Sequence, residues 1–225
     1  MKKLLAAIIA AALLLSGCSL SSRPAVSAPP AETPSPSPTP IVTPTPAPEP
    51  SDDELVLVRD YIPGIFIDLK YATTDNFTGQ VIYDSDEAYL RYGTVKKLLA
   101  AQNELSGRGL SLKIWDAYRP VSAQFKLWEI CPNPVYVSDP NNGYSKHSRA
   151  NTVDITLVTS TGESIPMPSG FDDFTSLADR DYSDVSAEAA ENARLLESIM
   201  VENGFVPYSG EWWHYSDSVS YDVYE

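Results

Sequence analysis

Apolar and polar residues alternate in several short stretches of this chain, and such alternation is typical of β-strands that bury one face. We therefore predict strands at residues 54–60, 65–70, 110–114 and 152–158, with a further strand at 211–215. Pro63 and Gly64 separate the first two stretches and predict a turn between them. Within 152–158 the apolar residues would face the core, which places Asp154 on the opposite, polar face.

The remaining regular stretches predict helices at residues 86–105, 121–130 and 187–203. Residues 84–86, Asp-Ser-Asp, are candidate N-caps for the first helix, and Ser186 is the candidate N-cap of the last. Pro120 lies at the start of the middle helix, where proline is favoured. Residues 131–144 are rich in Pro and Asn and predict a loop.

These strands and helices follow one another without the regular strand–helix–strand rhythm of a parallel α/β fold. The order predicts an α+β domain with a mainly antiparallel sheet and flanking helices. We place this single domain at residues 53–225, which is long enough for a sizeable hydrophobic core.

The chain begins with the features of an export signal. Two lysines are followed by an apolar run over residues 4–15, which is too short to span a bilayer comfortably. Residues 15–18, Leu-Ser-Gly-Cys, resemble a bacterial lipobox. This resemblance implies that residues 1–17 are removed as a lipoprotein signal peptide and that Cys18 is diacylated. The protein would then be extracytoplasmic and held at the bacterial cell membrane by an N-terminal lipid anchor; an ordinary secretory signal with an unrelated cysteine is the alternative.

Between this cysteine and the domain, the sequence is dominated by Pro, Ser, Thr and Ala. Such a composition offers little apolar surface to bury, so residues 18–52 are predicted to form a disordered tether. The domain itself contains a single cysteine, Cys131, so a lipidated Cys18 would leave no partner for a disulfide.

Acidic residues outnumber basic ones, 30 against 16, for a formal net charge of −14. Removal of the two lysines of the signal would make the charge −16. This balance argues against nucleic acid and against anionic lipid surfaces as partners. It is compatible with a small zwitterionic substrate and with a divalent cation, and it leaves the oligomeric state open.

The chain has only two histidines, His147 and His214, and each has a carboxylate close by in sequence. Two imidazoles and one carboxylate form a three-ligand zinc set with a position left open for water, as catalytic sites require. A second carboxylate must then take a proton from that water and pass it to the departing amine. We assign Asp154, on its polar strand face, as the ligand and the longer Glu211 as the base. Two surface histidines beside acids would produce the same spacing without any metal site.

A family resemblance carries the interpretation further. Residues 145–154, Ser-Lys-His-Ser-Arg-Ala-Asn-Thr-Val-Asp, together with 211–214, Glu-Trp-Trp-His, resemble the paired signature of zinc D-alanyl-D-alanine dipeptidases. Residues 71–79, Tyr-Ala-Thr-Thr-Asp-Asn-Phe-Thr-Gly, and 115–120, Trp-Asp-Ala-Tyr-Arg-Pro, match in the same order. The likeness runs over about 60–215, nearly the whole domain. It implies one zinc ion per chain, bound by His147, Asp154 and His214, with Glu211 as general base and acid.

The resemblance also implies roles for three residues outside the metal set. Arg119 would steady the oxyanion of the tetrahedral intermediate, a role suited to a planar and permanently charged guanidinium; an Arg119 that only pairs with Asp116 is the alternative. Asp172 would receive the substrate ammonium, unless it is a simple loop acid. Longer peptides would then be rejected, because their corresponding nitrogen is an uncharged amide. Ser145 would help to hold the substrate.

The chain departs from the family pattern at two positions. The family usually has Gly where Ala150 stands and Ala where Thr152 stands. A glycine relaxes the backbone between metal ligands, so a positive φ at Ala150 would be unfavourable. We expect altered specificity or rate from this departure, and no loss of zinc.

The activity that the resemblance implies is hydrolysis of D-alanyl-D-alanine to D-alanine by metal-activated water. One alternative is a D,D-carboxypeptidase or endopeptidase that trims peptidoglycan stem peptides in a more open cleft, which the predicted membrane anchor favours. The other is a non-catalytic zinc-binding cell-wall module, as in hedgehog domains of this fold. Glu211 and Arg119 argue against this second alternative, because a binding module needs neither.

Overall fold

The computed structural model of the protein describes residues 48–224. The predicted signal peptide, Cys18 and most of the predicted tether fall on residues 1–47, outside the described part. Within the described part, no helix has both the length and the apolar character needed to cross a membrane.

Seven strands and four α-helices make up the described fold. The strands are β1 (Leu55–Leu57), β2 (Phe66–Ile67), β3 (Tyr89–Arg91), β4 (Leu110–Asp116), β5 (Thr152–Thr159), β6 (Phe205–Tyr208) and β7 (Glu211–Asp217). The α-helices are α1 (Val58–Tyr61), α2 (Tyr92–Ser106), α3 (Val121–Ile130) and α4 (Ala187–Glu202). Short 3-10 helices lie at Lys70–Ala72, Lys146–Arg149 and Ser176–Ala178.

The central sheet has five strands in the order β2-β4-β5-β7-β6. Strand β2 runs parallel to β4, and the other three pairs are antiparallel. A parallel pair needs a long crossover, and the chain between β2 and β4 supplies one that includes α2. Strands β1 and β3 form a separate antiparallel pair. The predicted α+β class is confirmed, with a sheet that is mixed but mainly antiparallel.

The hydrophobic core lies between the central sheet and two helices. Helix α2 packs against β4 and α4, and α4 packs against β5, β6 and β7. On β5 the side chains of Val153 and Ile155 are fully buried, as the alternation predicted. Asp154, between them, is buried as well, so the opposite face of this strand is an enclosed surface and not a solvated one. That enclosed face is where the candidate site lies.

Two predictions near the start of the domain are wrong in their bounds. The stretch 54–60 is a strand only as far as Leu57, after which the chain turns into α1, and the stretch 65–70 contains only the two residues of β2. The turn between them is present, with the Ile65 amide donating to the Ile62 carbonyl at 3.4 Å and Gly64 at a φ of 79°. The two strands join different sheets, because β1 pairs with the later β3.

The first long helix also starts later than predicted. Residues 89–91 form β3, and α2 begins at Tyr92 without any side-chain cap, so the proposed caps at 84–86 are wrong. The free amides of its first turn are instead satisfied by backbone, since Tyr92 N donates to Glu54 O at 2.8 Å and Gly93 N to Asp52 O at 2.9 Å. A backbone cap from a distant segment leaves no local sequence signal.

The remaining elements agree with the sequence. Helix α3 has the predicted bounds, α4 is capped by Ser186, whose Oγ accepts from Ala189 N at 3.2 Å, and no helix or strand interrupts 131–144. Strands β5 and β7 extend the predicted stretches by one or two residues. The short β6, with Pro207 inside it, was missed.

Candidate active site

Three neighbouring strands place acidic and imidazole side chains on one face of the sheet. Asp116 of β4 is opposite Asp154 of β5, and Asp154 is opposite His214 of β7. Residues directly opposite each other in antiparallel strands project to the same side, so these three side chains form a row. In that row the Nδ1 atom of His214 lies 2.9 Å from Oδ1 of Asp154.

The second histidine reaches this row from a loop. His147 lies in the 3-10 helix Lys146–Arg149, whose first turn is capped by Ser145: its Oγ accepts from His147 N at 3.3 Å. The ring Nδ1 lies 2.9 Å from the carbonyl oxygen of Ala117, which can only accept, so Nδ1 carries the proton. The other nitrogen, Nε2, lies 3.3 Å from Oδ2 of Asp154 and 3.4 Å from Nδ1 of His214.

The donor set of His147, Asp154 and His214 fits a zinc ion. One ligand atom from each residue lies within 4.8 Å of the others, and all three residues are buried. Two imidazole nitrogens and a carboxylate oxygen are the ligands of catalytic zinc sites. The Ala117 carbonyl fixes the tautomer of one imidazole in the way that outer partners of metal-bound histidines do.

The protonation of these residues also suits metal binding, which requires an ionised carboxylate and neutral imidazoles. Burial opposes the charged form of Asp154, but the charge and hydrogen bonds of the two imidazoles outweigh burial and hold the pKa of this carboxyl well below its usual range. Burial lowers the pKa of His214. For His147 the acids Asp154 and Asp116 outweigh burial and raise the pKa, so a bound cation would replace a proton there.

Glu211 begins β7, directly after the hairpin turn from β6, and its Oε2 lies 3.5 Å from Nδ1 of His214. Burial, together with the negative charge of Asp154, raises the pKa of Glu211 to about 7. A carboxylate with this pKa can both accept and return a proton near neutral pH. It lies beside the ligand set without belonging to it.

Arg119 is held next to the same row. Its backbone amide donates to the His147 carbonyl at 3.2 Å, and its guanidinium Nε donates to Oδ2 of Asp116 at 3.0 Å. A further nitrogen donates to Gln124 at 2.9 Å, and the guanidinium carbon lies 4.9 Å from the centre of the Tyr71 ring. The ion pair with Asp116 therefore exists, and it orients Arg119 within the cleft.

Asp172 lies in the long loop between β5 and α4. Its carboxylate accepts a hydrogen bond of 2.7 Å from the hydroxyl of Tyr71, the ring that lies against Arg119. Burial raises the pKa of Asp172 to about 7, although the Tyr71 hydrogen bond favours the charged form. The backbone at Asp172 has a φ of 53°, in the left-handed region.

Eight residues were named from the sequence, and all of them except the lipidation candidate Cys18 line one cleft with a volume of about 240 Å³. These are Arg119, Ser145, His147, Asp154, Asp172, Glu211 and His214. The volume lies below the usual range for drug-sized ligands and suits a small molecule. The structure thus brings together residues that are up to about a hundred positions apart in the chain.

Comparison with known proteins agrees with this geometry. A family model described as D-ala-D-ala dipeptidase, Peptidase_M15, matches residues 51–222. The chain belongs to this family. It is 40% identical to the D-alanyl-D-alanine dipeptidase of Escherichia coli (strain K12) over 162 residues, which cover 72% of this chain and 83% of the relative.

Two further relatives carry the same name. The chain is 37% identical to the D-alanyl-D-alanine dipeptidase of Streptomyces coelicolor over 187 residues, covering 72% of this chain and 91% of the relative. It is 36% identical to that of Enterococcus faecium over 174 residues, covering 68% and 86%. The family is one of zinc metallopeptidases, and this protein is an enzyme of that class.

The two departures from the dipeptidase pattern have structural consequences beside the ligands. Ala150 has φ 57° and ψ 29°, so an alanine occupies the left-handed conformation that glycine adopts more readily. Its amide donates to the His147 carbonyl at 3.0 Å, which closes the ligand-bearing turn. Thr152 is buried, and its Oγ1 lies 3.0 Å from Oγ of Ser216 across the β5–β7 pair. Both residues thus support the backbone that carries His147 and Asp154.

One residue that contacts the site was not found from the sequence. Arg180 donates to the carbonyls of Glu211 and His214 at 3.0 and 3.1 Å, and to that of Tyr208 at 2.7 Å. Its guanidinium also lies 4.6 Å from the centre of the Tyr215 ring and pairs with Glu197 at 3.1 Å. Arg180 therefore ties the Asp172 loop to the strand that carries Glu211 and His214, through backbone contacts that leave no sequence motif.

Proposed function

We propose that the protein hydrolyses the peptide bond of D-alanyl-D-alanine and releases D-alanine, with one zinc ion held by His147, Asp154 and His214. The observation that carries this proposal is the convergence of these three residues with Glu211 in one small cleft. The family and its curated relatives support the choice of substrate. Zinc bound there would polarise the scissile carbonyl and acidify the attacking water.

Glu211 acts as the proton carrier of the reaction. With a pKa of about 7, it accepts a proton from the attacking water and returns that proton to the departing amine. Its position at the start of β7, with its backbone held by Arg180, keeps the carboxylate beside the ligand set.

Arg119 stabilises the negative charge that develops on the carbonyl oxygen. A cation already oriented by Asp116 and Gln124 needs little rearrangement during the reaction, which is what makes such groups effective. Its backbone hydrogen bond to His147 keeps it at a constant distance from the ligands.

Asp172 selects a free dipeptide by its ammonium group. An approaching ammonium favours the carboxylate form of a group whose pKa is about 7, so binding and ionisation reinforce each other. A longer peptide offers an uncharged amide at that position and leaves the partly buried acid unpaired. Ser145 caps the turn that carries His147 and also lines the cleft, where we propose that it helps to hold the substrate.

A panel of three substrates tests the proposal: D-alanyl-D-alanine, its N-acetyl derivative and a muramyl pentapeptide stem. We expect residues 48–225 to bind one zinc per chain by elemental analysis and to cleave the free dipeptide best. Cleavage of the stem without cleavage of the dipeptide would identify a D,D-carboxypeptidase instead. Folded protein that binds zinc and cleaves none of the three would identify a non-catalytic zinc-binding wall module.

We also propose that the enzyme is a lipoprotein outside the cytoplasm. The lipobox-like residues 15–18 and the Pro-rich stretch up to residue 52 support a diacylated Cys18, a tether and a membrane-held domain. Expression of the full chain in bacteria fed a radiolabelled fatty acid should label the wild type and leave Cys18→Ala unlabelled. Equal labelling of both proteins would contradict the anchor.

A further inference from the structure

We propose that Lys146 binds the C-terminal carboxylate of the substrate, so that this site requires a free carboxyl end. The inference rests on the proposed peptidase function and adds to it the recognition of a second end group. Its starting point is the position of Lys146 directly before the ligand His147, in the 3-10 helix that carries both.

The ammonium of Lys146 belongs to the wall of the cleft. The side chain is exposed and lines the cleft beside the ligand set. Its Nζ lies 5.9 Å from the centre of the Tyr208 ring, and that ring lies 5.7 Å from the ring of His214. A substrate bound next to His214 would therefore come close to this ammonium.

Lys146 differs from several other lysines of the domain in having no acidic partner. Three of those others pair with aspartates at 3.0 Å or less: Lys70, Lys96 and Lys97. Over residues 48–224, no carboxylate lies within ion-pairing distance of Lys146. Arg119, the other cation that lines the cleft, is already paired with Asp116. Among the described residues, Lys146 is thus the cationic side chain of the cleft without an acidic partner, and its ammonium can pair with a carboxylate.

The electrostatics of the site explain why that anion is needed. Lys146 directly precedes the candidate ligand His147, and its positive charge lines the same cleft. The same charge would oppose a divalent cation bound there. A carboxylate beside Lys146 would offset this repulsion, so a substrate with a free carboxyl end stabilises an arrangement that is otherwise unfavourable.

The two charged ends of a zwitterionic dipeptide then have separate partners. Asp172 belongs to a contact group with Tyr71 and Arg119, whereas Lys146 belongs to another with Tyr208 and His214. Asp172 favours a dipeptide over a longer stem peptide, because only the dipeptide has an ammonium at that position. Lys146 favours cleavage next to a free C-terminal residue, because a bond inside a chain has no carboxylate beside it, and endopeptidase action is therefore excluded.

The test compares D-alanyl-D-alanine with its C-terminal amide, D-alanyl-D-alaninamide, which lacks the carboxylate. Affinities are measured by calorimetry on zinc-loaded full domain carrying Glu211→Ala, and KM is measured on the enzyme with Glu211 intact. In both measurements Lys146→Gln should weaken binding of the acid about tenfold, as loss of one charge-assisted contact does, and should leave binding of the amide unchanged. Lys146→Arg should keep the preference for the acid. Lys96→Gln, an exposed lysine of α2 outside the cleft, is the matched control and should behave as wild type.

The outcomes separate this inference from the function on which it rests. An acid-to-amide ratio that Lys146→Gln leaves unchanged would overturn the role of Lys146, while turnover of the dipeptide would still support the proposed function. Binding that prefers the acid through Lys146, in a protein without turnover, would uphold the carboxylate site and overturn the hydrolysis. Equal loss for acid and amide would mean that Lys146 only supports the fold of the ligand turn, and would overturn the inference too.

Discussion

The hydrogen bond from Tyr71 to Asp172 allows the proposed ammonium site to be tested by pH. In Tyr71→Phe the ring and its contact with Arg119 remain, and only the hydroxyl that donates to the carboxylate at 2.7 Å is lost. The hydrogen bond favours the charged form of Asp172, so its removal should raise the pKa of this acid above its present value of about 7.

The size of the effect follows from the strength of the contact. A hydrogen bond to a charged group contributes roughly 1.5–3 kcal/mol, and partial exposure of Asp172 places this one at the low end. Because 1.36 kcal/mol corresponds to one pKa unit, the shift should be about one unit, to about 8. At pH 7 the ionised fraction would then fall from about one half to about one tenth, so kcat/KM for the dipeptide should fall about fivefold.

The sign of the pH dependence is definite. Asp172 is ionised above its pKa, so kcat/KM decreases as the pH falls through that value, and in Tyr71→Phe this decrease should begin at a higher pH. The ratio of variant to wild-type kcat/KM cancels the titration of the substrate amine, since this is common to both enzymes. That ratio should be about one fifth at pH 7 and should return towards one at alkaline pH.

Two controls make the test specific. Tyr83 is buried like Tyr71, but its hydroxyl donates to Asp116, so Tyr83→Phe should leave the pH dependence attributed to Asp172 unchanged. In a background of Asp172→Asn, which cannot ionise, Tyr71→Phe should no longer shift the profile. A shift that persists in that background would refute the assignment of the ammonium site to Asp172.

Three further predictions concern the base and the backbone around it. Glu211→Ala should lower kcat by about 10²–10⁴-fold while elemental analysis still finds one zinc per chain, and full activity would remove Glu211 from the mechanism. Arg180→Ala should lower the free energy of unfolding in urea by about 3 kcal/mol, because three backbone carbonyls lose a charged donor. It should also lower kcat about a hundredfold through displacement of Glu211, and unchanged stability would contradict this role. Ala150→Gly relieves a left-handed alanine, which costs about 1–2 kcal/mol, but increases the freedom of the unfolded chain at a cost of about 0.4–1 kcal/mol. Urea unfolding should therefore show a gain of up to about 1.6 kcal/mol in the free energy of unfolding, and a clear loss would contradict the reasoning.

The elements that the sequence predicts well are those whose cause is local. Alternation identified the strand 152–158, and Ser186 marked the start of α4, because in each case neighbouring residues determine the outcome. The start of α2 could not be predicted, because its first amides are satisfied by carbonyls of residues 52–54, some forty positions earlier. The pairing of β1 with β3 is equally non-local, and strands of three residues are too short for their alternation of apolar and polar residues to predict it.

The candidate site shows the same division between chemistry and placement. The chemical identity of its residues could be predicted, since two histidines, two acids and an arginine in family motifs leave few ways to build a peptidase site. Their placement depends on the register of β4, β5 and β7 and on the left-handed backbone of Ala150. The pattern of apolar and polar side chains predicts neither of these. Arg180 holds β7 through carbonyls that every residue possesses, so its role can be recognised only once the chain is folded. Positioning groups of this kind are therefore where structure adds most to a family assignment.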